Sequence, residues 1–336
     1  MNNTIYVRHF IAATVAALTI MACGTAKKAR TDSQATAVSI EFNADSAYNF
    51  CAAQCSFGPR TMNSEAHEQC AGWIADKFRA YGYAVELQKA NLKGYDGTLL
   101  HSTNIIARAA GDSLTAAYEE KPRILICAHW DSRPWADNDP DSSNWRKPVM
   151  AANDGASGVA VMLELARLLQ QHDSASVAVD FICFDAEDWG VPQWENTADG
   201  DSWALGAQYW ATNYKGAEYQ FAILLDMVGG QGAKFYREGF SMQHARPIVE
   251  KVWSAAEAAG YGSLFVSETG GYITDDHLPI NEKANIPCID IINHYPDCEQ
   301  SSFGPTWHTI SDDMQHIDRN TLCAVGQTLV QLIFQK

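Results

Sequence analysis

The 336 residues carry 47% hydrophobic side chains and a formal charge of −16, with 40 acidic against 24 basic groups. That is apolar material for one substantial core at the upper end of single-domain size, and the acidity disfavours nucleic acid, whose phosphates need a cationic surface. Nine cysteines are tolerable in an oxidising compartment, and no Cys-x-x-Cys pair occurs among them.

Residues 1–22 read as a signal peptide, with Arg8 in a short basic start and an apolar stretch from Phe10 to Met21. That stretch is too short for a comfortable membrane span, so export is expected. Its end, Ile20-Met21-Ala22-Cys23-Gly24, resembles a bacterial lipobox, which implies lipidation of Cys23. Gly24 stands where inner-membrane lipoproteins often carry aspartate, so the periplasmic side of a Gram-negative outer membrane is expected. Residues 23–43 are expected to form a flexible tether, rich in Ala, Thr, Ser and Lys, and residues 44–336 a single catalytic domain.

Cys51, Cys55 and Cys70 could supply one disulfide, whereas Cys127, Cys183 and Cys288 sit in apolar runs and are expected as buried thiols. Apolar residues recur at helical spacing from Ser64 to Tyr81, with Ser64 as N-cap. Four short runs rich in β-branched residues follow at 123–128, 177–184, 221–226 and 286–292. Helical patterns occupy 158–171, 244–260 and 319–334. The alternation predicts an α/β fold: a three-layer α/β/α sandwich with a mixed, largely parallel and buried central sheet.

Ligand sites in such sheets lie beyond the carboxyl ends of the strands. There the sequence places His129-Trp130-Asp131, Asp185-Ala186-Glu187-Asp188 and Asp226 after successive runs, Asp154 before the 158–171 helix, and His308 in a late loop. Singly, each has a plain structural reading: Asp154 as a helix cap, His129 as a satisfied polar group, Asp226 as a turn former. Together they are the usual material of a zinc site with an open coordination position.

The segments His129-Trp130-Asp131-Ser132, Asn153 to Gly158, Phe184 to Asp188, Leu225-Asp226-Met227, Asp275 to Pro279 and Trp307-His308-Thr309 resemble, in order and spacing, the zinc aminopeptidase clan. Within it they resemble the animal-type glutaminyl cyclases and their bacterial relatives, over roughly residues 50 to 330. The resemblance implies Asp154, Asp188 and His308 as ligands of one zinc, and Glu187 as the catalytic acid/base. It implies an acidic network of Asp226 and Asp275 with Glu187, and a glutamine pocket built from Trp194, Thr274, Phe303 and Trp307. Two departures stand out. Aspartate replaces glutamate at 188, so its loop must move inward to reach the metal, and the cysteine pair that flanks the metal-binding aspartate in animal members is absent.

The implied reaction converts N-terminal glutamine of peptides or proteins into pyroglutamate with loss of ammonia. The runner-up is a zinc aminopeptidase of the same clan, in which His129 and Asp226 would serve a second metal; a third reading is an inactive binding ectodomain. No feature calls for self-association, and a monomer is the default.

Overall fold

A computed structural model describes residues 37–109, 121–195, 202–216 and 219–335. The expected signal peptide, Cys23 and most of the expected tether lie outside these residues. The inner end of that tether is corrected: Val38 N–H donates to Gln331 Oε1 at 2.9 Å and Phe42 N–H to Gln327 Oε1 at 2.8 Å. Phe42 buries its ring against Gly326, where a β-carbon would collide with it. Two satisfied backbone donors and a buried ring thus dock residues 38–43 before the first helix begins.

Helix α1 (Ala44–Cys55) starts at Asn43, whose side chain accepts from Ser46 N–H. Helix α2 (Glu65–Ala80) begins as expected at Ser64, whose hydroxyl accepts from His67 N–H, and it buries Cys70, Ile74 and Phe78 on one face. The hairpin β1 (Ala84–Lys93) and β2 (Leu99–Arg108) follows, closed by the turn in which Gly94 N–H donates to Thr98 O at 2.9 Å. Next come β3 (Arg123–His129), α3 (Ala156–Gln171), β4 (Ala178–Phe184), α4 (Leu205–Asn213) and β5 (Ala222–Asp226). After β6 (Phe235–Arg237) comes a short helix, α5 (Gly239–His244), and then the helix expected over 244–260, which is α6 (Arg246–Ala258). They break at Ala245 because Pro247, in the first turn of α6, has no N–H to continue a ladder. Strand β7 (Phe265–Thr269), helix α7 (His277–Glu282), strand β8 (Cys288–Ile292) and helix α8 (Arg319–Phe334) complete the order.

The main sheet runs β1-β2-β4-β3-β5-β8, and β6 pairs with β7 in a small second sheet. β1 and β2 are antiparallel to their neighbours, while β4, β3, β5 and β8 are mutually parallel. The parallel strands are buried on both faces. Their residues alternate between a large core under α1, α2, α3, α6 and α8 and a smaller one under α4 and α7. This is the expected three-layer sandwich. Cys127, Cys183 and Cys288 are buried thiols, and the three candidates for a disulfide, Cys51, Cys55 and Cys70, are all free.

From β3 the chain crosses to β4 on one side and later to β5 on the other. Order reverses at β3, and the crevice beyond its carboxyl end is where such sheets place ligands.

Candidate active site

The site is assembled from strand exits held by buried carboxylates. Past β3, Asp131 accepts the backbone N–H groups of Glu187 and Asp188 at 3.1 and 3.2 Å, so one side chain shapes the turn after β4. In that turn Asp185 bonds the His67 imidazole at 2.8 Å, and His67 stacks on Trp130 at 4.3 Å. Ala186 takes φ +54°, and left-handed residues also sit at Met227 (φ +48°) and His308 (φ +53°). On the opposite side, Asp312 accepts from Asn153 and Asp154 N–H at 2.8 and 3.0 Å, fixing the loop ahead of α3. Gly158 lets α3 lie against β5: a β-carbon there would stand 2.3 Å from Leu225 O.

These supports bring Asp154, Asp188 and His308 together, all buried, with one donor atom of each within 4.8 Å of the others. His308 Nε2 lies 3.2 Å from Asp188 Oδ1 and 3.5 Å from Asp154 Oδ2. The shorter carboxylate at 188 therefore comes within reach of the other two donors. Behind the ring, His308 Nδ1 faces Asp137 Oδ1 at 3.5 Å, and Asp137 receives both Nε and Nη2 of buried Arg133 at 2.7 Å. A carboxylate behind a histidine selects the tautomer whose other nitrogen is free to ligate. Asp188 Oδ2 is buried without a hydrogen-bond partner. Two carboxylates and an imidazole converging around such an open acceptor suit zinc.

His129, Asp154 and Asp226 form an equally compact group, with His129 Nε2 at 3.0 Å from Asp154 Oδ1 and 3.3 Å from Asp226 Oδ1. Asp154 belongs to both groups, as a bridging carboxylate does in two-metal centres.

Against these donors lies a cavity of about 270 Å³, lined by Glu187, Asp226, Thr274, Asp275, Phe303 and Trp307, together with Trp203, Met227, Tyr272, Ile273 and Ile292. Phe303 and Trp307 meet at 4.9 Å; Trp307 stacks on His308 at 3.7 Å, and Trp203 lies nearly parallel to that ring at 6.0 Å. Burial lifts the Glu187 carboxyl well above the usual range; the His129 imidazole opposes the rise, and the Asp188, Asp275 and Asp276 carboxylates add to it. Burial likewise raises Asp226 to about 6 and Asp275 to about 7, the latter aided by Asp226. Carboxyls with such values hold or release a proton near neutrality.

Every candidate residue but two therefore converges. Cys23 lies outside the described residues. Trp194 is corrected: it does not line the cavity but packs at 6.1 Å from Trp135 and 6.3 Å from Trp145, under the Arg146 guanidinium. Trp203 supplies the wall instead, braced by Arg133 4.7 Å from its ring. Sequence reasoning also missed the supports Arg133, Asp137 and Asp312. The Arg133-x-x-x-Asp137 spacing was the available sign of the first two.

Residues 104–333 match peptidase family M28. Among solved structures, the glutaminyl cyclase of Bacteroides thetaiotaomicron, bound to N-acetylhistamine, is 48% identical with a TM-score of 0.83, covering 88% of this chain and 99% of that one. The glutaminyl cyclase of Tannerella forsythia is 45% identical with a TM-score of 0.84, covering 88% and 100%. A leucine aminopeptidase precursor of B. thetaiotaomicron VPI-5482 is 47% identical with a TM-score of 0.82, covering 90% and 100%. The chain spans a smaller part of a curated relative, 40% of the aminopeptidase YwaD of Bacillus subtilis (strain 168), at 27% identity over 218 residues. The family match covers more than half of the chain, and the ligand set and the fold agree with it: the chain belongs to peptidase family M28.

Proposed function

We propose that the chain is a zinc-dependent glutaminyl-peptide cyclotransferase, closing an N-terminal glutamine to pyroglutamate with release of ammonia. One observation carries the reading: Glu187, Asp226 and Asp275 face a single small aromatic-walled cavity beside Asp154 and His308. A cavity of that size takes one side chain with its own α-amine, and its rings hold the flexible glutaminyl chain in the bent form that brings amine to amide.

When bound, zinc held by Asp154, Asp188 and His308 supplies Lewis acidity to an amide carbonyl. Glu187 takes a proton from the attacking α-amine and delivers it to the departing nitrogen, so the new C–N bond forms as the old one breaks and no water is consumed. Asp226 and Asp275, both buried and both raised, let the shared proton move without leaving an isolated buried charge. Trp203, Phe303 and Trp307 exclude water that would otherwise compete with the amine.

Incubating the zinc-loaded protein with a Gln-initiated peptide tests this: ammonia with an intact, cyclised peptide is expected, whereas free amino acids would sink it. Those would favour the second reading, an aminopeptidase, for which Asp154 shared between two ligand groups is the specific observation. We infer one tightly held zinc per chain; two by elemental analysis would again favour the aminopeptidase. An intact Glu187 and full ligand set argue against an inactive ectodomain.

We further propose that the protein acts as a monomeric lipoprotein anchored through Cys23 on the periplasmic side of the outer membrane, supported by the lipobox-like Ile20 to Gly24. Mass spectrometry finding an unmodified mature N-terminus other than Cys23 would refute the anchor, and sedimentation showing a dimer would refute the monomer.

A further inference from the structure

We propose that Tyr272 is the docking ring for the residue that follows the substrate's N-terminal glutamine, giving the site a preference for an apolar or aromatic side chain there; this rests on the cyclase reading above. Single exposed aromatic rings are common and need no explanation by themselves. This one is distinguished by where it stands. Of the side chains lining the cavity, the carboxylates, His308, Met227 and Ile292 are buried, Trp203, Ile273, Phe303 and Trp307 are half-buried, and Tyr272, at 67%, and Thr274 are the exposed ones. A glutaminyl residue whose amine faces Glu187 must let the rest of its chain leave through the open part of the lining, past Tyr272 and Thr274.

The ring is also held in place. A β-carbon on Gly239 would come within 2.7 Å of it, so glycine gives the ring a flat backbone floor, and Phe240 meets it edge-on at 5.0 Å. On either side of Tyr272 the chain is pinned: Gly239 N–H donates to Gly271 O at 2.8 Å, and Ile273 N–H to Glu238 Oε1 at 3.0 Å. A ring fixed before binding adds contact area at little ordering cost, and a second ring or apolar group packed on it gains the contact of an aromatic pair.

The test compares kcat/KM for Gln-Phe-amide and Gln-Gly-amide. The wild-type protein is expected to favour the phenylalanyl substrate by about two- to tenfold, the range of an aromatic pair, mostly through KM. Tyr272→Ala should bring the ratio close to one, and Tyr272→Phe should preserve it. No preference in the wild type, or a ratio unchanged by Tyr272→Ala, overturns the proposal. Calorimetry of pyroglutamyl-Phe-amide against pyroglutamyl-Gly-amide gives the same comparison without turnover. Absence of ammonia release from every substrate would therefore refute the cyclase reading, while equal affinity of the two products would refute the role of Tyr272.

Discussion

Buried aspartates stand near the start of strand β4 and in the turn beyond its finish, and two of them are treated in opposite ways. Near its start, Asp180 gives both oxygens partners: Oδ1 accepts from Ala109 N–H and from Arg123, and Oδ2 from the Tyr219 hydroxyl. Four residues past its finish, beyond Asp185 with both oxygens bonded, Asp188 Oδ2 has no partner, and Asp226 Oδ1, Asp275 Oδ2 and both oxygens of Asp276 also lack hydrogen bonds. A buried carboxylate is costly unless compensated. The satisfied end fixes the strand; the unsatisfied end leaves acceptors for a cation, a substrate amine or a shared proton.

The largest effect should come from removing a ligand. His308→Ala is expected to lose tight zinc and all measurable turnover while His129→Ala keeps close to one zinc per chain, as elemental analysis after gel filtration reads; the reverse pattern would move the metal to the other donor group. Glu187→Gln should keep zinc and fold and lower kcat by roughly two to four orders of magnitude. Near-normal turnover in that variant would hand the proton to another group, Asp275 first.

At the satisfied end the readout changes from activity to stability. Asp180→Ala orphans three donors and should lower unfolding free energy by about 1–3 kcal/mol with zinc content unchanged, whereas Asp276→Asn gives up no accepted hydrogen bond and should cost less. Equal losses in one urea titration would erase the contrast between the two ends. Smallest of all, Trp194→Ala should alter kcat/KM less than about twofold, because its half-buried ring does not line the cavity. A loss matching that of Trp203→Ala would return Trp194 to the substrate pocket.

The parallel strands were legible because burial on both faces makes them continuous apolar runs, and the acids at their exits followed from where such sheets place ligands. The β1–β2 hairpin was not, since Glu86, Gln88, Lys89 and Asn91 interrupt any apolar run on an edge strand with little burial. Helix α1 was equally hidden, its buried positions being Ala47, Cys51 and Gln54. Within the site, ligands carry their chemistry in their identity, but supports are defined by contacts made across the chain: Asp312 holds residues 153 and 154 from 159 and 158 positions away. Trp194 and Trp203 show the same limit, two tryptophans nine positions apart of which folding alone selects the wall.

The left-handed residues around the metal donors also limit what substitution can repair. At Ala186 a glycine would relieve the local conformational cost, of order 1–3 kcal/mol, and leave every donor in place. His308 has φ +53° as well, yet there the relaxed residue and the proposed ligand cannot be the same amino acid. A descendant of this sequence could shed the strain at Ala186 by drift, whereas Met227 would lose a buried side chain of the cavity wall. At His308 it can do so only by giving up the imidazole proposed to hold the zinc, so that strain is as permanent as the chemistry.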